Sequence, residues 1–519
     1  MLRLAAFCYA PSMPIRTKFL SLVAILLIAV FFRFYQLTII PPGLYMDEAM
    51  DGVNAQYAAQ TGQFQVFYPE DNGREGLYVN LLAFAFRFHL LRDTAPWSVR
   101  VPAEVTGTLT VLGIYLLVSV LFKESREGES LTPNHQASTL ALLSAFLLAT
   151  SFWHINFSRI GFRAILGPFC LTWATYFLLM AIRSHASRPS ALGNAAIAGI
   201  FYGLGFYTYI AFRITPLLLL LLIPFFRKTR GFWKCFILFL FVTIMVALPI
   251  SWYYLRHPAD FIAHTAELSV TKAENPLAVL VKNTLKTALM FIWHGDSSWR
   301  HNMGGAPELW RPVGILFLLG LVLGIWALVK VDSPFAHRPS RFAILFLLTW
   351  LILGSLPAIF SKGPPHALRS LLMVVPAVVF AALGGGWLYQ FGARKLNRQW
   401  MAILTALFIT AALAKSYSQY FVAWAKHPNV RMDFNADSVD IGNCINALPA
   451  SEPKYVVVYA KGVIAYGLPV PVEPVLYVTH SFVPDAAAQK VVNNIHYLLP
   501  SEINQIPPGE PSSHIFEIR

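Results

Sequence analysis

The stretch Pro41-Pro42-Gly43-Leu44-Tyr45-Met46-Asp47-Glu48-Ala49-Met50-Asp51 decides how this chain is read. It follows an apolar run at about 18–37 that has a basic flank, no small-residue cleavage site, and Arg33-Phe34-Tyr35 at its end. That run is expected to be a retained helix rather than a signal peptide. Met13-Pro14-Ile15-Arg16-Thr17-Lys18 makes a good flank by itself, so Met13 is a candidate start. Asp47, Glu48 and Asp51 then stand where a membrane helix should surface. Pro41-Pro42-Gly43 predicts a turn, with Asp47 capping a helix to about Thr61 and Gly62 ending it. Acids in the first turn suit the helix dipole. Capping is one reading of these acids, and a general base held at the membrane surface is the other; a cap residue is rigid enough to serve as both. The wider loop sharpens the second reading: Asp47, Glu48, Asp51, Glu70, Asp71 and Glu75 face one base, Arg74, in a chain whose formal charge is +14.

Composition sets the class. Of 519 residues, 56% are hydrophobic and 13% charged, and the mean hydropathy is +0.55. Soluble domains carry about 25% charged residues, so the chain is read as a polytopic membrane protein. The basic residues fall mainly in short loops between apolar runs, which is a topology signal and not a nucleic-acid footprint. Cys170 and Cys235 lie in or beside apolar runs, Cys8 near the start and Cys444 in the tail, with no metal or disulfide spacing.

Eleven runs are long enough to be candidate spans: 18–37, 101–122, 137–154, 164–182, 191–209, 212–227, 233–254, 312–330, 341–359, 368–390 and 400–420. With the N-terminus cytoplasmic, the inside segments hold seventeen Lys and Arg, including Arg3, Arg126, Arg188 and Lys330. The short outside turns hold five: Arg159, Arg163, Arg213, Lys362 and Arg369. This bias fixes the orientation and puts the tail outside. Two long outside loops result, 38–100 and 255–311. Each contains an apolar stretch too short to span, Leu77 to Leu91 and Leu277 to Trp293, expected to lie at the interface. Trp97, Trp153, Tyr207, Tyr209, Trp252, Trp293 and Trp310 at segment ends fit an aromatic belt.

The tail, 421–519, changes character. Lys454 to Tyr459, Val475 to Val478 and Ile515 to Ile518 predict strands, and Ala486 to Leu499 a helix. A small α/β domain outside the membrane is expected, following a transmembrane module over 1–420, and it shows no catalytic motif.

Basic residues in the outside turns form the second group of candidates. Arg159 and Arg163 lie in Asn156-Phe157-Ser158-Arg159-Ile160-Gly161-Phe162-Arg163, and Arg213 in a turn almost without polar residues. Lys362, His366 and Arg369 lie together in another. Snorkelling to head groups would explain each. Yet the charge bias disfavours Arg on this face, and charges at membrane depth tend to be functional. Several guanidinium groups at one level would suit an anionic head group through bidentate phosphate bonds. Trp293-His294-Gly295-Asp296 and Arg300-His301-Asn302-Met303-Gly304-Gly305 offer metal-ligand chemistry, but a polar turn is the simpler reading because no spacing is diagnostic.

These residues carry a family resemblance. Asp47-Glu48 after the first span resembles the acidic pair of the protein O-mannosyltransferase and aminoarabinose-transferase family, within the GT-C glycosyltransferases. Arg74-Glu75-Gly76-Leu77-Tyr78 resembles its His/Lys-Pro-Pro-Leu-Tyr segment. Ser98-Val99-Arg100-Val101-Pro102 opens the second span as Arg-Leu-Pro does in relatives. His154 to Leu166, and Arg369-Ser370-Leu371-Leu372-Met373-Val374-Val375-Pro376, resemble two further family segments, in the same order along about 15–390. There are departures: Glu75-Gly76 stands for Pro-Pro, and Ala164 stands where some relatives use a second aspartate.

The resemblance implies an all-α polytopic GT-C fold of about eleven spans, with interfacial helices in the two outside loops. It implies transfer of one sugar from a polyprenyl-phosphate donor to an acceptor hydroxyl, with inversion, outside a bacterial cytoplasmic membrane. Asp47 is then the base candidate with Glu48 beside it, and Arg74, Arg159, Arg163, Arg213 and Arg369 are candidates for the donor phosphate. Tyr45, Glu75, His294, Asp296, His301 and His366 are candidates for substrate contact. The acceptor is expected to be a lipid, glycan or protein; no nucleic acid partner is expected. Arg can neutralise a leaving phosphate, so no metal is expected to be required. The alternative is a transporter or flippase of a lipid-linked anionic head group. Its usual signs are inverted repeats and interrupted helices at midplane, whereas the charges here cluster in loops at one surface.

Overall fold

In a hydrocarbon layer every backbone N–H and C=O needs an internal partner, so long apolar runs settle as helices. The computed structural model describes residues 14–70, 73–123, 135–184, 189–262, 270, 274–329 and 338–519. Arg3, Cys8, Met13, Asp71, Arg126, Arg188 and Lys330 lie outside them. Eight helices among the described residues are long and apolar enough to cross a membrane: Ile15–Phe34 (α1), Pro96–Leu121, Arg163–Arg183, Phe232–Arg256, Arg311–Val329, Arg341–Ile359, Leu371–Ala393 and Gln399–Trp424. A bent pair, Ala137–Ala149 with Phe152–Arg159, makes a ninth, broken by 58°. The chain is therefore a multi-pass membrane protein.

Besides the broken 137–154 run, two more of the eleven candidate runs differ from simple spans. The 191–209 run forms a helix of 17 residues, Pro189–Gly205. The 212–227 run breaks into a 3-10 turn at Ile210–Ile214 and short helices Pro216–Leu219 and Leu222–Phe226. Bundle packing relies on small residues at crossings, as usual where lipid supplies no hydrophobic contrast. At Gly320 a Cβ would lie 1.8 Å from Phe380 O, and at Gly384 one would lie 2.0 Å from Leu316 O, so no larger residue fits that crossing.

Both stretches expected to lie at the interface are helical, over Leu77–Arg87 (α3) and Pro276–Leu289. α3 buries Tyr78, Val79, Leu82, Ala83 and Phe86 and exposes Leu81 and Phe84. The second helix exposes Leu277, Val281, Leu285 and Leu289 at four-residue spacing, one apolar stripe. Its opposite face is pinned by Asn283, whose Nδ2 donates to Ile359 O at 2.9 Å and Ser361 O at 3.0 Å. Two belt candidates are interior instead: Trp153 is fully buried and donates to Ala367 O at 3.1 Å, and Tyr209 is buried.

The tail carries a four-stranded sheet in the order β6-β7-β3-β8: Val491–Val492 (β6), Ile495–Leu498 (β7), Lys454–Val458 (β3) and Ile515–Ile518 (β8). β3 runs parallel to β7 and β8, while β6 and β7 are antiparallel. The strands expected at Lys454 and Ile515 are present. Val475–Val478 is not a strand but part of a helix, Glu473–Thr479, with Pro474 in its first turn. Its apolar run is buried on all sides and so has no periodicity to read. Ala486 to Leu499 is not a helix: Asn493 and Asn494 adopt φ of 54° and 59°, the left-handed pair that closes a tight hairpin between β6 and β7.

Candidate active site

The first loop folds as its sequence predicts. α2 runs from Met46 to Thr61 and stops at Gly62, whose φ of 77° gives the left-handed C-cap. The cap itself differs from expectation: Glu48 rather than Asp47 closes the first turn, its Oε2 accepting from Tyr45 N at 2.9 Å. Glu48 is fully buried. Its Oε1 accepts from Arg100 Nε at 3.0 Å and from Gly161 N at 2.6 Å. Arg100, also buried, donates to Pro41 O and Gly43 O at 2.7 Å each. Glu48 and Arg100 thus tie three segments together: the Pro41–Tyr45 turn, the entry to the Pro96–Leu121 span, and the 160–163 turn.

Asp47 faces the other way. Its side chain is 26% exposed, and Oδ1 lies 3.4 Å from Arg74 Nη2. One helical turn on, Asp51 is fully buried with Oδ1 3.3 Å from Arg74 Nε. Arg74 and its neighbour Glu75 form a short strand (β2, Arg74–Glu75) paired with Phe67–Tyr68 (β1). That pairing turns Arg74 toward α2 and Glu75 away from it. Glu75 bridges two further guanidinium groups, Arg163 Nε at 3.1 Å and Arg213 Nη2 at 3.3 Å. Arg213 also donates to the Tyr254 hydroxyl at 2.8 Å and to Phe261 O at 2.9 Å.

Two more cations complete the group. Arg300 stacks over the Tyr45 ring at 4.4 Å and contributes to the field on Asp47. Its buried Nε has no hydrogen-bond partner among the described residues. Arg369 is held by Ser361 Oγ at 2.7 Å and Lys362 O at 2.8 Å. The Tyr209 hydroxyl lies in the fields of Arg369, Arg163, Glu75 and Asp47 together, which ties the two sides into one cluster. Among the described residues, five guanidinium groups (Arg74, Arg163, Arg213, Arg300, Arg369) gather around the carboxylates of Asp47, Asp51 and Glu75, with Asp296 beside Arg300 and Arg369, so the cluster is richer in guanidinium than in carboxylate groups.

These surroundings split the two aspartates. Burial pulls the Asp47 carboxyl up, but Arg74, Arg163, the Tyr45 hydroxyl and Arg300 outweigh it and hold it below the usual carboxylate range. Burial pushes Asp51 up to about 7, against the pull of Arg74 and Arg163, with Asp47 and Glu48 adding to the rise. The Tyr45 phenol is driven well above its usual range by burial and by Asp47 beside it. At neutral pH the loop therefore presents an ionised Asp47 next to a protonated phenol.

Not every candidate joins this cluster. Arg159 is fully buried, and its guanidinium donates to Ile40 O at 2.8 Å, Phe32 O at 3.3 Å and Arg33 O, sandwiched against the Tyr420 and Phe421 rings. It closes the C-terminal carbonyls of α1. His294 is exposed and stands against Gly305. Asp296, His301 and His366 meet in a separate group next to Arg300 and Arg369. Sequence reasoning noted Arg100 and Arg300 only as parts of motifs and gave neither a role. Their signal was position, one at a span entrance and one in a glycine-rich turn, but only folding brings them to Glu48 and Tyr45.

The chain matches no known protein-family profile and no curated protein. Among solved structures it is similar to ArnT from Cupriavidus metallidurans bound to undecaprenyl phosphate, at 12% identity and a TM-score of 0.55, over 91% of this chain and 86% of that one. It is also similar to the oligosaccharyltransferase AglB of Archaeoglobus fulgidus in complex with an inhibitory peptide and a dolichol-phosphate. There the identity is 15% and the TM-score 0.54, over 89% of this chain and 63% of that one. The same archaeal enzyme tethered to an acceptor peptide gives 16% and 0.52. This chain spans less than two thirds of the archaeal enzyme's length. These similarities show the fold: the chain has the fold of the GT-C glycosyltransferases.

Proposed function

We propose that this protein is an integral membrane glycosyltransferase. It moves one sugar from a polyprenyl-phosphate donor to an acceptor hydroxyl of a lipid, glycan or protein, on the outer face of a bacterial cytoplasmic membrane. The observation that carries the proposal is Asp47, ionised and partly open, at the margin of a cluster richer in guanidinium than in carboxylate groups.

The charge arithmetic suits this reaction. A polyprenyl-phosphate sugar is a phosphodiester with about one negative charge, and the departing polyprenyl phosphate approaches two. A site lined by an excess of guanidinium groups binds the more highly charged leaving group better than the donor, which is the condition for lowering the barrier. The acceptor O–H gives its proton to the Asp47 carboxylate as its oxygen bonds to the anomeric carbon. The bond from that carbon to the phosphate oxygen breaks, and its electron pair stays on the phosphate. A single displacement inverts the anomeric centre. Glu48 and Arg100 hold α2 in register and take no part in the transfer. Arg74, Arg163, Arg213, Arg300 and Arg369 receive the phosphate, with Glu75 keeping Arg163 and Arg213 in place until it arrives. The folds of the undecaprenyl-phosphate-bound and dolichol-phosphate-bound relatives support a lipid-phosphate donor.

The test is to incubate the purified protein with a panel of polyprenyl-phosphate sugars and hydroxyl acceptors and to measure free polyprenyl phosphate and glycosylated acceptor. One productive donor is expected. Binding of donor without release or transfer across the panel would instead favour a head-group carrier.

A further inference from the structure

Beside the arginine cluster, two outside turns converge on one carboxylate oxygen. Asp296 Oδ2 lies 3.2 Å from His301 Nδ1 and 3.6 Å from His366 Nδ1. All three ligand atoms fall within 4.8 Å of one another. We propose that Asp296, His301 and His366 form a binding site for a divalent transition metal of the zinc class, clamping the 296–301 turn to the 366–369 turn.

Three observations support a built site. The first is spacing. A tetrahedral ion with bonds of about 2.0–2.1 Å sets its ligand atoms about 3.4 Å apart, and the two Asp–His separations bracket that figure. The second is an unmet need. His366 Nδ1 is buried and has no hydrogen-bond partner among the described residues, since 3.6 Å to the carboxylate is too long for either tautomer. A cation would use that lone pair. The third is the support behind the ligands. Asp296 Oδ2 is aimed by Ala367 N at 2.8 Å and Oδ1 by Ser298 N at 2.9 Å, while the His301 ring stacks on Phe157 at 5.6 Å. Oriented ligands of this kind are what metal sites require. Two imidazoles and one carboxylate are a donor set for zinc or iron rather than calcium or magnesium.

A metal here would reinforce the Ala367 N to Asp296 Oδ2 hydrogen bond that already joins the two turns. It would bind His301, next to Arg300 over Tyr45, to His366, three residues from Arg369. The two arginines would then be held at fixed separation. This proposal concerns binding alone and does not depend on which sugar, if any, the protein transfers.

The experiment uses full-length protein purified without a polyhistidine tag and without chelator, and measures metal by mass spectrometry. About one ion per chain is expected in the wild type, and the double variant His301→Ala/His366→Ala should lose it by tenfold or more. A second readout needs no variant: wild-type protein stripped by chelator and reloaded with Co²⁺ should show the visible absorption of tetrahedral cobalt bound by nitrogen and oxygen, and its thermal midpoint should rise on reloading. No stoichiometric metal together with no cobalt spectrum would overturn the proposal. So would metal retained in a folded double variant.

Discussion

Asp47 and Glu48 are adjacent in sequence and opposite in circumstance. Asp47 is partly open beside Arg74, and Glu48 is sealed against Arg100 and Gly161 N. Their substitutions should therefore differ in kind. Glu48→Gln removes one partner of a fully buried pair, which typically costs about 3–5 kcal/mol. It should lower the thermal midpoint and the yield of inserted protein, while the folded fraction keeps its specific activity. Asp51 supplies a pH signature. Arg74, Arg163, Asp47, Glu48, Tyr68 and Tyr78 face it, and its carboxyl is raised to about 7. An acid raised on folding stabilises the protein at low pH, and that contribution is lost as pH climbs through about 7. Ionised Asp51 also cuts the positive surplus by one. The thermal midpoint should fall as pH rises from the ordinary carboxylate range to about 7 and level off above it, transfer should decline as pH passes through about 7, and Asp51→Asn should flatten both declines. An unchanged alkaline limb in Asp51→Asn would remove Asp51 from this role.

At the scale of elements, the close approach of the tail to the first loop rests on Gly43. With φ of 75° and a would-be Cβ 2.3 Å from Phe434 O, this position admits no side chain without moving the Pro41–Tyr45 turn or the tail. Gly43→Ala should lower the thermal midpoint and loosen the start of α2, read as faster amide exchange at Tyr45–Glu48. The elements also show what was legible in the sequence. α2 could be bounded because its cap, its acids and its terminal glycine are all local signals. Leu277 to Trp293 could be read because its apolar stripe repeats every four residues. The 473–479 helix could not, since Glu473 to Val478 are buried all round and leave no periodicity to read. The β6–β7 hairpin turns on Asn493-Asn494, whose left-handed backbone is a local signal that helix propensity alone does not weigh. Arg159 and Arg163 could not be told apart by spacing, which says nothing of depth: one guanidinium closes α1 and the other meets Glu75.

At the scale of the molecule, the site is a meeting of loops from one end of the bundle. α2, the 160–163 turn, Arg213, the 296–301 turn and the 366–369 turn contribute its charges, and residues 421–519 press on α2 through Tyr477 O, which accepts from Gln56 at 2.9 Å. The sequence made the loops and their charges visible. It could not show that Glu75 joins Arg163 to Arg213, because those residues are remote along the chain. If the surplus charge serves the leaving phosphate, each exposed member should matter to the donor. Arg369→Ala removes one charge-assisted contact of about 1.5–3 kcal/mol. It should raise the apparent donor KM by roughly tenfold or more, with little change in acceptor dependence. An unchanged donor KM would take Arg369 out of the donor site. The central claim, that Asp47 is the base in a transfer driven by this cluster, is tested most directly by single-turnover transfer from a productive polyprenyl-phosphate sugar in Asp47→Asn. The account predicts a fall of about 10²–10⁴ in rate, with donor binding and thermal midpoint close to wild type; near-normal turnover in that variant would contradict it.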